Sequence, residues 1–457
     1  MTSGKGLIRK LKTGIAGLAL IGAPYFNSVN AQTPEKENYQ PKYDTFAHKM
    51  VMIEDSGIAG SHLSLKKLDE VIDLSKKFIK KTHYTKQELS DLSKKIYSTI
   101  NSVDYSLAHD NDEAPLFPGD LPTCYIYSIY YLGVGQANNL PFYAVSFEKK
   151  IIEGPAELIV GGSLGHMFIR YDPNGKHNPA NPNDPVNKGD ENIEASIGEI
   201  QDKEHYSDNY YLKGHDLPKG SLINLDEKKL LGIAYGWRGA KTIVYANKIK
   251  NKLKDELDKE IEDCKRYRDP YYGYSSLATE SQKEECLKKK NIEFRKDSMK
   301  KEHTKLINES LKYLDEEIKL NPNSFGAYYC KGRAYESLDT KDFELKSIEN
   351  FIKATEIAPS PWIYRDIAFA YSSLDKDGCY KDIEYITKAI NLAKENVKKA
   401  ENLKKYRIDI KYAEYLSNAK YFENILEILE RNKEVIEESA KYHYHWCDKI
   451  KNSKQSP

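Results

Sequence analysis

The sequence predicts an α+β domain, a helix packed on an antiparallel sheet, followed by an all-α region of helical repeats. Three observations predict it. The run Cys124-Tyr125-Ile126-Tyr127-Ser128-Ile129-Tyr130-Tyr131-Leu132 is apolar on most faces of a helix, as a buried helix is. Short strand-like segments follow, His166 to Tyr171 the clearest of them. From Leu225 onward the periodicity turns helical, and beyond Leu306 a set of small and aromatic residues recurs. A chain of 457 residues exceeds one ordinary core, so two or three domains are expected.

The N-terminus has the pattern of an export signal. Lys5, Arg9, Lys10 and Lys12 precede a short apolar core, Gly14 to Ala23, and the small residues Val29 and Ala31 predict cleavage after Ala31. The apolar core is short for a membrane span, and an uncleaved anchor is the alternative. The mature protein is therefore expected outside the cytoplasm, secreted or periplasmic, with no span after signal removal. Residues 32–110 read as a polar linker and a helical lead-in. Leu65, Leu68, Val71, Ile72, Leu74 and Phe78 recur at mostly helical spacing between Leu63 and Lys81, and Thr85-Lys86-Gln87-Glu88 is a capping box for a helix to about Ser102.

Residues 111–240 hold the α+β domain. The helix from Cys124 should end near Asn138, Leu140–Phe147 alternates as a strand, Glu157–Val160 is a further candidate, and Asn192–Ile197 is the returning strand. Asn174–Gly189, dense in Pro, Asn, Asp and Gly, is a surface loop. Residues 241–305 read as a charged helical hairpin connector, with helices over Lys250–Arg268 and Thr279–His303. Cys264 and Cys286 flank the turn signal Asp269-Pro270-Tyr271-Tyr272-Gly273, where a bridge would pin the hairpin near its tip.

Residues 306–435 carry the repeat, and 436–457 form a tail. Ala327, Gly332 and Tyr335 precede Ser347, Phe351, Ala354 and Pro359; Trp362, Ala368 and Tyr371 then precede Asp382, Ile386 and Ala389; a weaker unit spans about Lys405–Glu430. Small residues at these offsets let antiparallel helices approach and stack. The pattern resembles tetratricopeptide repeats with loops two or three residues longer, and the resemblance implies a protein-binding surface, with packing alone as the alternative.

Lys and Arg total 70 against 69 Asp and Glu, with no basic stripe, so the sequence gives no support for a nucleic-acid partner. His443 and Cys447 share a helix face, but two ligands do not close a zinc site, so no metal is expected there. Gly161-Gly162-Ser163-Leu164-Gly165 is not a phosphate loop, because no Lys-Ser/Thr pair ends it. No cofactor is expected.

The chemistry centres on Cys124. A cysteine at a helix start has unpaired backbone N–H groups and the positive end of the helix dipole beside it, which favour thiolate over thiol. His166 is the candidate base, on a strand face shared with Phe168 and Arg170. Glu194, on a neighbouring antiparallel strand, could lie directly across from His166 and orient it; Asp172 and Asp190 compete for that role.

The order of a Cys-led helix, Gly165-His166-Met167-Phe168-Ile169-Arg170 and Asn192-Ile193-Glu194-Ala195-Ser196-Ile197-Gly198 resembles the transglutaminase-like (papain-like fold) superfamily. It is similar in particular to the bacterial branch whose domain is followed by tetratricopeptide-type helices. The resemblance covers roughly residues 50 to 240, with Leu140-Pro141, Ser207-Asp208-Asn209-Tyr210-Tyr211 and Leu225–Leu231 also matching. It departs at Pro122-Thr123, where members have Gly or Asn before the cysteine, and in the long stretches Glu148–Leu164 and Pro173–Glu191. The resemblance implies acyl transfer at amide bonds, by hydrolysis or transamidation, with Cys124 as nucleophile, His166 as base and Glu194 as orienting acid. The substrate would be a protein or peptide, and the repeats would recruit a protein partner. The alternative is a non-catalytic binding scaffold with a degenerate domain.

Overall fold

The computed structural model describes residues 39–54, 64–104, 123–148, 164–175, 190–202, 205, 222–268, 275–338, 340–374, 381–405, 423–434 and 436. The export signal, Glu157–Val160, Ser207–Tyr211, His443, His445 and Cys447 lie outside them. Among the described residues no helix is long and apolar enough to cross a membrane.

The chain is an α+β domain followed by a helical region. Four helices lead: α1 (Phe46–Glu54), α2 (Leu65–Lys76), α3 (Lys86–Val103) and α4 (Thr123–Ala137). Ser64 caps α2 through the Lys67 N–H, and Thr85 and Glu88 cap α3 reciprocally as a capping box. Leu68, Val71 and Ile72 of α2 and Leu89, Leu92, Ile96 and Ile100 of α3 are buried on one stripe each, against α4. α4 is enclosed: Tyr125, Ile126, Tyr127, Ile129, Tyr130, Tyr131, Leu132 and Val134 are all buried. Its tyrosine hydroxyls stay satisfied, Tyr131 donating to the Ser93 carbonyl at 2.7 Å, Tyr130 to Asp104 at 3.3 Å and Tyr127 to Asn101.

Helix α1 lies just after the predicted linker, and its start is clasped to α2. His48 bonds Thr45 Oγ1 through Nδ1 at 2.6 Å and Asp69 Oδ1 through Nε2 at 2.9 Å, while Tyr39 donates to Asp69 Oδ2 at 2.7 Å. The lead-in is thus part of the same core as the sheet.

Five antiparallel strands follow: β1 (Phe142–Glu148), β2 (Leu164–Tyr171), β3 (Glu191–Glu194), β4 (Glu199–Gln201) and β5 (Leu222–Leu225), in the order β4-β3-β2-β1-β5. β4 and β5 go beyond the strands expected from sequence. The strand expected over Asn192–Ile197 stops at Glu194, because the chain turns there to pair Glu194 with Glu199.

Helix α5 (Glu227–Lys265) is one continuous helix through both halves. Leu230, Ile233, Ala234 and Trp237 join the first core; Ala240, Ile243 and Ala246 join the second. A two-stranded ribbon, β6 (Arg266–Arg268) with β7 (Ser275–Leu277), then leads into α6 (Glu280–Lys289) and α7 (Ile292–Leu320). The single helix expected over Thr279–His303 is broken at Asn291, whose φ of 52° is left-handed and cannot continue a right-handed helix. Cys264 and Cys286 are joined in a disulfide with Cα atoms 5.6 Å apart, spanning 22 residues. Closing a loop of that size is worth about 3 kcal/mol. A Cys264→Ser/Cys286→Ser double variant should lose about that much in urea unfolding; a loss under about 1 kcal/mol would contradict it.

α7 runs antiparallel to α5, with Arg295 bonded to Glu260 at 2.8 Å at one end and Leu320 beside Gly232 at the other. Two helix pairs stack beyond it: α8 (Phe325–Glu336) with α9 (Lys341–Ile357), and α10 (Pro361–Ser373) with α11 (Lys381–Lys405). Phe351 of α9 packs on Tyr329 with ring centroids 5.4 Å apart, and Tyr329 donates to Asp366 of α10 at 2.9 Å. The repeated positions Ala327, Ser347, Phe351, Ala354, Trp362, Ala368, Ile386 and Ala389 are all buried.

Glu317 is sealed between α5 and α8. Its carboxyl lies where a side chain at Gly236 would stand, and it accepts from Ser324 Oγ at 2.5 Å. Burial pushes it up to about 8, the Ser324 hydrogen bond opposing that only in part. A carboxyl raised on folding binds more protons folded than unfolded. Its stabilising effect is therefore full below the unfolded value near 4.5 and is lost as pH rises toward 8. Glu317→Gln should flatten the fall in stability between those limits, by up to about 1.4 kcal/mol per pH unit. Parallel pH–stability curves for the variant and the native chain would refute this.

Candidate functional site

Cys124 is the second residue of α4 and is half-buried, packed against the first core. In the first turn its backbone N–H has no partner within the helix. It is a free thiol, and it is among the neighbours that raise the His166 imidazole.

His166 stands on β2, where the ladder with β1 changes register: Phe147 pairs with His166 but Glu148 pairs with Leu164, leaving Gly165 as the extra residue. A bulge of this kind re-aims the neighbouring side chain. Met167, Ile169 and Tyr171 enter the helical core, while the alternate residues His166, Phe168 and Arg170 take the other face and are buried there too. Ser146 Oγ donates to the His166 carbonyl at 2.9 Å, and Ser128 of α4 to the Met167 carbonyl at 3.4 Å, fastening the helix and β1 to this end of β2.

Glu194 ends β3 and is only 3% exposed. Its Oε2 lies 2.5 Å from His166 Nε2. It is not directly across from His166: the register Ile169↔Ile193 and Arg170↔Asn192 continues to place Glu194 opposite Phe168. The carboxylate reaches its imidazole along the diagonal, a separation two long side chains can close.

Burial opposes charge on His166, but its interactions with Cys124 and Glu194 outweigh that and raise the imidazole from 6.5 to about 10. An imidazolium is therefore favoured at neutral pH by neighbours that meet it only in the folded chain.

The competing acids lie elsewhere. Asp172 follows the far end of β2 and accepts from the Asn174 N–H at 3.0 Å, and Asp190 precedes β3 at that same end. Arg170 joins neighbouring strands, with Nε 3.2 Å from Asn192 Oδ1 and a terminal nitrogen 3.5 Å from Asn224 Oδ1, two pleat repeats along β2 from the imidazole.

Two contributors are not apparent from sequence. Ser196 Oγ donates to Glu194 Oε1 at 2.6 Å, and Tyr125, beside Cys124, packs on Trp237 of α5 with centroids 6.3 Å apart. A hydroxyl two residues past the acid and ahead of Gly198 is the signal that would have pointed to the first. Among the described residues no group of three or more His, Cys, Asp or Glu is arranged to hold a metal ion. Comparison of the chain with protein-family models, with curated proteins and with solved structures finds no match.

Proposed function

We propose that this chain is an exported cysteine enzyme of papain-like, transglutaminase-like fold that transfers acyl groups from amide bonds. One observation carries the reading: a single imidazole bonded to a buried carboxylate and raised by a free thiol at a helix start. With the sulfur proton already held on His166, sulfur attacks the amide carbonyl carbon. The carbonyl oxygen becomes an oxyanion beside the free N–H groups of the first turn of α4. His166 then protonates the amine nitrogen, the C–N bond breaks and a thioester remains on Cys124. Water or a second amine attacks that thioester, gives its proton to His166, and releases the acyl group as the C–S bond breaks. Glu194 holds the ring and stabilises the imidazolium at both stages.

The disulfide between Cys264 and Cys286 supports an oxidising compartment, in keeping with the leader. The stacked pairs α8–α9 and α10–α11 extend from the domain as a tetratricopeptide-type surface that recruits a protein partner. Mass-spectrometric mapping after exposure to an electrophilic peptide-amide mimic tests the assignment. Label should sit on Cys124 and vanish in Cys124→Ala. Equal labelling of the two proteins, or a native thiol inert at neutral pH, would favour the non-catalytic scaffold instead.

A further inference from the structure

The carboxylate of Glu194 is held at both oxygens, and only one holder belongs to the proposed chemistry. Oε2 meets His166, while Oε1 accepts from Ser196 Oγ at 2.6 Å and from the Ser196 N–H at 3.4 Å. The segment carrying both residues is a tight turn between β3 and β4. The Glu194 carbonyl accepts from the Ile197 N–H at 3.2 Å and the Gly198 N–H at 2.8 Å. Gly198 has φ +69°, a left-handed backbone that favours glycine, and a Cβ there would stand 2.5 Å from Tyr97 Cβ. Tyr97 of α3 in turn stacks on Tyr127 of α4, with ring centroids 5.3 Å apart. Tyr127 lies one helical turn after Cys124. The acid and the nucleophile are thus located against the same helix, the acid by way of this turn.

We propose that the turn Glu194–Gly198 is built to position the acid, and that Ser196 is its positioning residue. Ser196 touches neither the sulfur nor the reacting carbonyl. It acts through Glu194, fixing the carboxylate rotation so that Oε2 points at the imidazole. A buried glutamate without this donor has more side-chain rotations open to it and fewer that meet His166. The proposal rests on the acyl-transfer reading, and the experiment separates the two.

The rate of Cys124 alkylation by iodoacetamide is measured from pH 5 to 10 in the native chain, Cys124→Ala, Ser196→Ala and Ser196→Thr, with thermal unfolding of each. Ser196→Ala should react about tenfold more slowly on the acid side, the loss expected for one hydrogen bond to a charged group, with unfolding temperature little changed. Ser196→Thr, which keeps the hydroxyl, should recover most of the rate. A Ser196→Ala profile that overlays the native one overturns the positioning role and leaves the acyl-transfer reading standing. So does a loss that Thr fails to restore and that follows a fall in unfolding temperature, since that marks a merely structural residue. Native chain labelled no faster than Cys124→Ala overturns the reading itself, and the positioning role with it.

Discussion

His166→Gln is expected to cut labelling of Cys124 by an electrophilic peptide-amide mimic by ~10²–10⁴-fold, the range that positioned proton transfer supplies. The choice of glutamine matters. His166 is 6% exposed and Glu194 3%, so removing the ring outright would leave a carboxylate buried without its partner. That alone destabilises a fold by about 3–5 kcal/mol. Glutamine keeps a donor near the carboxylate but cannot take the sulfur proton or return it to a leaving amine. The variant should therefore fold and fail. Simple alkylation by iodoacetamide, which needs only a nucleophilic sulfur, should fall less than labelling by the amide mimic. A variant that labels within threefold of the native chain would mean that His166 is a structural imidazole.

Trp237→Ala is expected to destabilise the whole chain by about 3–5 kcal/mol, the usual cost of emptying a large aromatic site. Trp237 is 4% exposed and is the last residue of α5 in the first core; Ala240, one turn on, belongs to the second. Between them Ser310 Oγ donates to the Gly239 carbonyl at 2.8 Å, so α7 is seated on the same turn. A cavity here loosens the joint from both sides. Far-UV circular dichroism against urea should show one transition moved to lower urea. The contact with Tyr125 predicts slower alkylation of Cys124 as well. A loss under about 1 kcal/mol would contradict the joint.

What was legible in the sequence is what local chemistry writes there. The capping box at Thr85 and Glu88, the apolar run of α4, the strand through His166 and the buried small positions of α8–α11 all follow from short patterns. Asp269–Gly273, where the turn was expected, lie outside the described residues, but the antiparallel pairing of Arg266–Arg268 with Ser275–Leu277 brings Cys264 and Cys286 to the same end, where they bond. What was not legible depends on partners far along the chain. β5 is four residues long and exists because Leu222–Leu225 pairs with β1. The start of α1 is organised by a histidine whose acid, Asp69, lies 21 residues away. The end of β3 is set by the turn at Gly198, and the β2–β3 register puts Glu194 on the diagonal from His166. The bulge at Gly165 is likewise a property of the β1–β2 pairing. The continuity of α5 escaped a reading that divided the chain near residue 240, because the apolar residues change cores there while the backbone does not change course.

The central claim is that the His166 imidazole answers both to the sulfur of Cys124 and to the carboxylate of Glu194. Nuclear magnetic resonance of ring-labelled histidine tests it most directly, following His166 through pH in the native chain, in Cys124→Ala and in Glu194→Gln. The account predicts an imidazolium that persists toward pH 10 in the native chain, and a titration that falls in each variant as burial gains on the one remaining partner. A native ring that titrates near its ordinary 6.5, or one indifferent to the loss of Cys124, would contradict it.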